Sequence, residues 1–265
     1  MPVPIATAIL ANVRVLWPKG LNTSYYLDVN AFSRQTAWAH PFMHNYALWL
    51  GPVLLAVVFL VAYVVVWWRR WPRVATVLVL GGLGTVIALG LNQLVGHAAE
   101  ELRPFVSHPH ALVLVPKAHD YSFPSDHSIV AGGLTMALLL AALQLGASSA
   151  ESGWLGRERV GTRRLLVVLT ALNLLLGLFL CFARVYVGVH YPGDVVAGFL
   201  LSSLVVTIMM LFRPLAFRLT DALETTVLGA VVRRPGGDQL AGLGKGPGRA
   251  SLDGRPLEES PGRRV

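Results

Sequence analysis

Charge is what this chain has least of. Asp, Glu, Lys and Arg together supply 14% of its 265 residues, while 54% are hydrophobic and the mean hydropathy is +0.59. A soluble domain carries about a quarter of its residues as ions, so this composition excludes that class and points to a chain that crosses a membrane several times. Cysteine is nearly absent. Cys181 stands alone, which rules out a disulfide framework and a thiolate metal cluster. Because it lies inside an apolar run, it reads as a small buried hydrophobe rather than a nucleophile. Strand-type alternation is missing from the apolar runs as well. Lipid does not tolerate unsatisfied backbone groups, so these runs are read as helices and the fold class as all-α. The amino terminus has neither the basic start nor the long apolar centre of a secretory signal, and it is expected to be retained.

Five runs are free of charged side chains and long enough to cross about 30 Å of hydrocarbon. They are Ala47 to Trp68, Val74 to Gly96, Ser128 to Ala150, Leu165 to Ala183 and Val195 to Phe212. A net charge of +8 could point to nucleic acid, but the arginines follow the membrane instead. Arg69, Arg70 and Arg73 crowd the turn after the first run, and Arg157, Arg159, Arg163 and Arg164 precede the fourth, marking both connections as cytoplasmic. Between His97 and His127, two basic residues face four carboxylates, so this stretch is expected outside. Residues 1 to 46 are read as an interfacial segment, with Trp17, Tyr25, Tyr26 and Trp38 at headgroup level. Residues 214 to 234 form a cytoplasmic membrane-proximal segment. The glycine-, proline- and arginine-rich tail, 235 to 265, cannot bury a core and is expected to be a disordered cytoplasmic segment.

Ionisable chemistry collects at one end of these helices. Six of the eight histidines fall between His97 and His190, all on the face expected outside. Three segments meet there: "ELRPF" (101 to 105), "FPSDHS" (123 to 128) and "RVYVGVHYPGD" (184 to 194). Arg184 ends an apolar run, where a charge is kept for a partner, for a cavity or by snorkelling. His190 precedes a helix opened by Pro192, and Asp194 lies in its first turn. A hydrogen bond between them would fix the imidazole tautomer and leave the other ring nitrogen free. Ser125 and Asp126 suit the start of the third membrane helix as cap and dipole partner. Capping does not account for His127 beside the anion-attracting amides of that turn. With the guanidinium forks of Arg103 and Arg184, these groups make a site for phosphoryl transfer.

The same residues resemble the type 2 phosphatidic acid phosphatases, which share a helical core with the vanadium haloperoxidases. The family's three blocks are matched by "GHAAEELRP" (96 to 104), "PSDH" (124 to 127) and "ARVYVGVHYPGD" (183 to 194). The third block is the most specific: Arg184, five residues, His190, three residues, Asp194. The resemblance implies a membrane bundle, with residues 47 to 213 as the phosphatase domain. It also implies His190 as the nucleophile that forms a phosphohistidine, Asp194 as its orienting group and His127 as general acid and base. Arg103, Arg184, Ser125, Asp126 and His97 would hold the phosphoryl oxygens, with no metal and no cofactor. Three positions depart from the family. Gly96 stands where a lysine is expected, with His97 one helical step of about 100° away as its substitute. Ala183 replaces a serine and Asp126 a glycine. "FPSDH" with "VGVHYPGDVVAG" is most like the undecaprenyl-diphosphate phosphatase branch. The implied partner is therefore a polyprenyl diphosphate in the bilayer of the plasma membrane, dephosphorylated on its extracytoplasmic face. Phosphatidic acid and phosphatidylglycerol phosphate are the alternatives. No nucleic-acid partner is expected, and the oligomeric state is open.

Three rival readings remain. Zinc could be held by His108, His110 and His119 with His127, but the "HPH" spacing is not that of a helical ligand pair. A serine hydrolase of Ser125, His190 and Asp194 would lack the Gly-x-Ser-x-Gly elbow. A transporter would place its ions along the spans, and these are almost free of charge.

Overall fold

The computed structural model describes residues 19–146 and 154–225, and the described residues are helical without strands. The expected disordered tail, Trp17 and the end of the third apolar run lie outside these residues. The chain divides into two units, residues 1–220 and 221–265; of the second only the last residues of a helix are described.

In chain order the helices are α1 (Lys19–Gln35), α2 (His40–Asn45), α3 (Gly51–Trp68), α4 (Pro72–Ala99), α5 (Pro104–Ser107), α6 (Asp126–Gly146), α7 (Trp154–Tyr186), α8 (Pro192–Met209) and α9 (Arg213–Thr225). Proline sets several of the starts, with Pro72 and Pro192 opening α4 and α8, where the missing N–H has no intrahelical partner to lose. A left-handed residue, Glu100 at φ 48°, closes α4 and turns the chain into the first site loop. The 33 residues of α7 measure about 50 Å, more than a bilayer core, so its arginine-rich first turns continue the same helix beyond the apolar run.

Among the described residues, five helical stretches have the length and apolar character to span a membrane. At their centre lies α6, packed against α4, α7 and α8. Its inward face is built from small residues, including Ala131, Gly132, Gly133, Ala137 and Ala141, all buried. Where polar association is weak, such residues let helix backbones approach; a Cβ at Gly132 would run into the Phe199 carbonyl of α8. Outward faces carry Leu60 on α3, Val86 and Leu94 on α4, Val168 and Leu175 on α7 and Leu200 on α8, all exposed. These are the surfaces that lipid covers.

One helix packs against the loops that follow α4 and α7. Tyr26, expected at headgroup level, is fully buried under the site loops, and its hydroxyl donates to the Gly188 carbonyl at 3.3 Å. Along α1, Asn22 Oδ1 accepts from the Gly193 amide (2.8 Å), and Asn30 donates to the Leu112 carbonyl (2.8 Å) and accepts from its amide (3.0 Å). Arg34 donates to the His110 carbonyl, and Thr36, just past the helix, contacts the Tyr186 hydroxyl (2.6 Å). Trp38 and Tyr25 remain exposed.

Candidate active site

Antiparallel packing brings the end of α4, the start of α6 and the α7–α8 connection to one end of the bundle. The connection is tightly specified. Val187 accepts from the Leu114 amide (3.0 Å), and Gly188 turns the chain at φ +85°, where a Cβ would meet the Leu112 carbonyl oxygen. His190 follows two residues later and is 2% exposed.

Both nitrogens of the His190 ring are engaged, Nδ1 as donor and Nε2 as acceptor from Arg103. Nδ1 donates to the Ser122 carbonyl at 2.9 Å, so Nε2 carries the lone pair; it faces Arg103 Nη1 at 3.4 Å. Burial pushes the pKa of His190 well below the ordinary imidazole value, and the neighbouring charges of Arg184, Arg103 and His127 add to that push. A neutral imidazole whose Nε2 carries no proton is the nucleophilic form, once substrate displaces the Arg103 contact.

Asp194 is fully buried, and its Oδ2 lies 3.4 Å from Nδ1 of His190. The hydrogen bond expected between them is replaced by a three-membered arrangement. Oδ2 accepts from the Tyr191 amide (2.8 Å) and from the Ser122 hydroxyl, while the Ser122 carbonyl takes the His190 proton. Asp194 returns its own amide to the Tyr191 carbonyl at 3.1 Å, so the carboxylate is fixed by the first turn of α8.

Two guanidiniums flank the imidazole, each 6% exposed. Arg103 holds Asp120 through Nε (2.9 Å) and Nη2 (2.8 Å) and gives Nη1 to the Val189 carbonyl (3.1 Å). Arg184 has a single protein hydrogen bond, from Nη1 to the Ala47 carbonyl (3.2 Å), and no carboxylate at ion-pair distance among the described residues; its Nε is buried without a partner. Leaving a guanidinium out of water with so few acceptors is unfavourable unless an anion completes it. The cap expected of Ser125 also differs. Its carbonyl starts α6 by accepting from Ser128 and Ile129 (both 3.1 Å), but its hydroxyl is buried and bonded to nothing. That free hydroxyl and the Arg184 Nε are the donors a phosphoryl oxygen needs.

His127, partly buried in the first turn of α6, is near enough for a charge on it to act on His190. Asp126 points to α4, where its Oδ1 accepts from Asn92 Nδ2 (2.6 Å), which also reaches the Pro124 carbonyl (3.1 Å). Gly96 faces the second block, its missing Cβ lying 3.3 Å from the Phe123 carbonyl. His97 is turned away: it is exposed, bonds the Gln93 carbonyl of its own helix (2.6 Å) and meets the Tyr121 ring. The 100° step around α4 separates it from the other site residues. His108 stacks on Tyr26, and no set of three His, Cys, Asp or Glu side chains among the described residues is placed to hold a metal. Sequence reading missed Ser122 and Asn92. Each acts through a tertiary contact, and only the position of Ser122 just before "FPSDHS" could have pointed to it.

A model of the PAP2 superfamily matches residues 74–218. An undecaprenyl-diphosphatase of Sulfolobus acidocaldarius is 32% identical over 44% of this chain and 46% of its own length. Undecaprenyl-diphosphatase BcrC of Bacillus subtilis is 35% identical over 55% of this chain and 59% of its own. The chain thus spans about half the length of these curated relatives. A crystal structure of a transmembrane PAP2-type phosphatidylglycerolphosphate phosphatase from Bacillus subtilis superposes with a TM-score of 0.51, covering 79% of this chain and 94% of that one at 19% identity, a likeness of fold.

Proposed function

The chain belongs to the PAP2 superfamily, and from that premise we propose that it is an integral membrane phosphatase that hydrolyses a polyprenyl diphosphate, of the undecaprenyl type, to the monophosphate. The observation that carries this reading is a buried His190 whose Nδ1 is committed to the Ser122 carbonyl, leaving Nε2 without a proton and against a guanidinium. In the proposed mechanism Nε2 attacks the terminal phosphorus, and the P–O bond to the lipid monophosphate breaks as His127 protonates the leaving oxygen. Water activated by His127 then hydrolyses the phosphohistidine, releasing phosphate. Arg103, Arg184 and the Ser125 hydroxyl supply fixed positive charge and donors to the equatorial oxygens, which is the main requirement of a loose phosphoryl transition state. Asp126 contributes indirectly, through its bond to Asn92 beside the second block.

The phosphatase domain is 47–213, with 1–46 interfacial and 214–265 cytoplasmic. The arginine clusters at the α3–α4 and α6–α7 connections lie at the opposite end from the site, and supporting weight for an extracytoplasmic active site in the plasma membrane comes from that asymmetry. The test is phosphate release by detergent-solubilised protein from undecaprenyl diphosphate, phosphatidic acid and phosphatidylglycerol phosphate side by side, with chelator present. The expected result is chelator-resistant turnover with the diphosphate preferred. Preference for either monoester moves the substrate assignment, and no turnover of any of the three overturns the phosphatase reading.

A further inference from the structure

Ser122 lies outside the three blocks, yet it is the residue through which the nucleophile and its carboxylate communicate. It is fully buried, and its three polar groups are all engaged. The amide donates to the Glu101 carbonyl at 2.8 Å, tying the loop to the segment that carries Arg103. The carbonyl receives the Nδ1 proton of His190 at 2.9 Å, and the hydroxyl donates to Asp194 Oδ2. A loop serine with only a structural role would be satisfied by any acceptor. Here both side-chain and main-chain oxygens address the two residues proposed to run the chemistry.

We propose that Ser122 is a positioning residue for the nucleophile: its carbonyl selects the tautomer that leaves Nε2 free, and its hydroxyl holds Asp194 against the back of the ring. This rests on the reading of His190 as nucleophile. When Nε2 bonds to phosphorus, positive charge develops on the imidazole, with the proton still on Nδ1. The Ser122 carbonyl keeps that proton, and the Asp194 carboxylate, 3.4 Å away, offsets the charge. Without the hydroxyl, Oδ2 loses a donor inside a buried site, and the carboxylate is free to turn toward Nδ1 or away from it. Either movement disturbs the ring in the transition state more than in the substrate complex, so kcat should suffer and KM should not.

The experiment compares wild type, Ser122→Ala, Ser122→Thr and His190→Ala as purified full-length protein in detergent, reading kcat and KM on the best of the three lipid substrates, and the melting temperature. Ser122→Ala is expected to lose about tenfold or more in kcat, the scale of one hydrogen bond to a charged group, with KM within about twofold and the protein still folded at the assay temperature, its melting temperature lowered by no more than about 10 °C. Ser122→Thr, which keeps the hydroxyl, is expected to recover most of the loss. Wild-type kcat in Ser122→Ala overturns the proposal, as does a loss that follows the melting temperature and is not recovered by threonine. Should Ser122→Ala not accumulate, Ser122→Cys keeps the shape with a weaker donor, and full kcat there overturns it equally. Failure of the underlying reading appears elsewhere: an inactive wild type, or an active His190→Ala, removes the nucleophile and with it any role for Ser122.

Discussion

The two ends of the bundle treat arginine in opposite ways. At the end with the arginine-rich connections, Arg159 is 9% exposed and has no buried unpaired donor among the described residues: its Nε donates to the Leu145 carbonyl at the C-terminus of α6 (2.8 Å), and its guanidinium lies over Trp71. Arg69 meets the Thr162 hydroxyl at 3.0 Å. These contacts close helix ends, where a cation complements the dipole. At the site end, Arg184 is as deeply buried and far less complete, with one carbonyl as acceptor and a bare Nε. A buried cation that leaves no buried donor over belongs to the fold. One whose partners are missing marks a place where an anion binds.

The sharpest way to break this contrast is at the nucleophile. His190→Ala is expected to abolish turnover, a loss of about a thousandfold or more on the scale of removed nucleophiles, while the protein still folds; phosphate-release assays and a melting curve check both halves. Next comes the pair of arginines. Arg184→Ala is expected to lower kcat by about a hundredfold or more with little change in melting temperature, as when a transition-state donor is removed. Arg159→Ala should do the reverse, keeping kcat and lowering the melting temperature by a few degrees, about 2 to 4 °C for each kcal/mol lost. Equal effects on activity would erase the distinction between the two ends.

A smaller effect is expected from pH. Because burial and nearby cations hold His190 below the ordinary imidazole value, the unfolded chain takes up this proton first as the pH falls. The stability tied to this group is complete above about pH 6.5, the unfolded value, and is lost as the pH falls toward the folded one. The nucleophile stays neutral over the same interval, so the acid limb of kcat/KM should lie below about pH 6.5. A limb at or above that value, read from a pH–rate profile, would place the imidazole in a far wetter setting. The mildest change is Asp120→Asn. Asp120 is 61% exposed at its side chain, and its pairing with Arg103 is screened, so a loss of less than about tenfold in kcat/KM is expected.

What could be read beforehand was whatever depends on local spacing. Arg184, His190 and Asp194 are set by a helix end, a short loop and a proline-led helix start, and the structure gathers them with Arg103 and Ser125. Apolar runs located the five spans, but α7 reaches from Trp154 to Tyr186 where the run covers only 165 to 183, because charged turns beyond the hydrocarbon continue the helix without contributing hydrophobicity. Roles made by tertiary contact were illegible. Ser122 is linked to Asp194 across 72 residues and Asn92 to Asp126 across 34, and neither has a periodicity or motif to betray it. His97 shows the converse: it adjoins Gly96 in sequence, but one helical step turns it to an exposed face.

The grip of α1 on the site loops falls mostly on main-chain atoms, those of His110, Leu112, Gly188 and Gly193. Outside Gly188, where the backbone demands glycine, a clasp of that kind is indifferent to the side chains it holds. Loop composition around the entrance can therefore drift, and with it the choice of headgroup, while the reacting imidazole stays where it is.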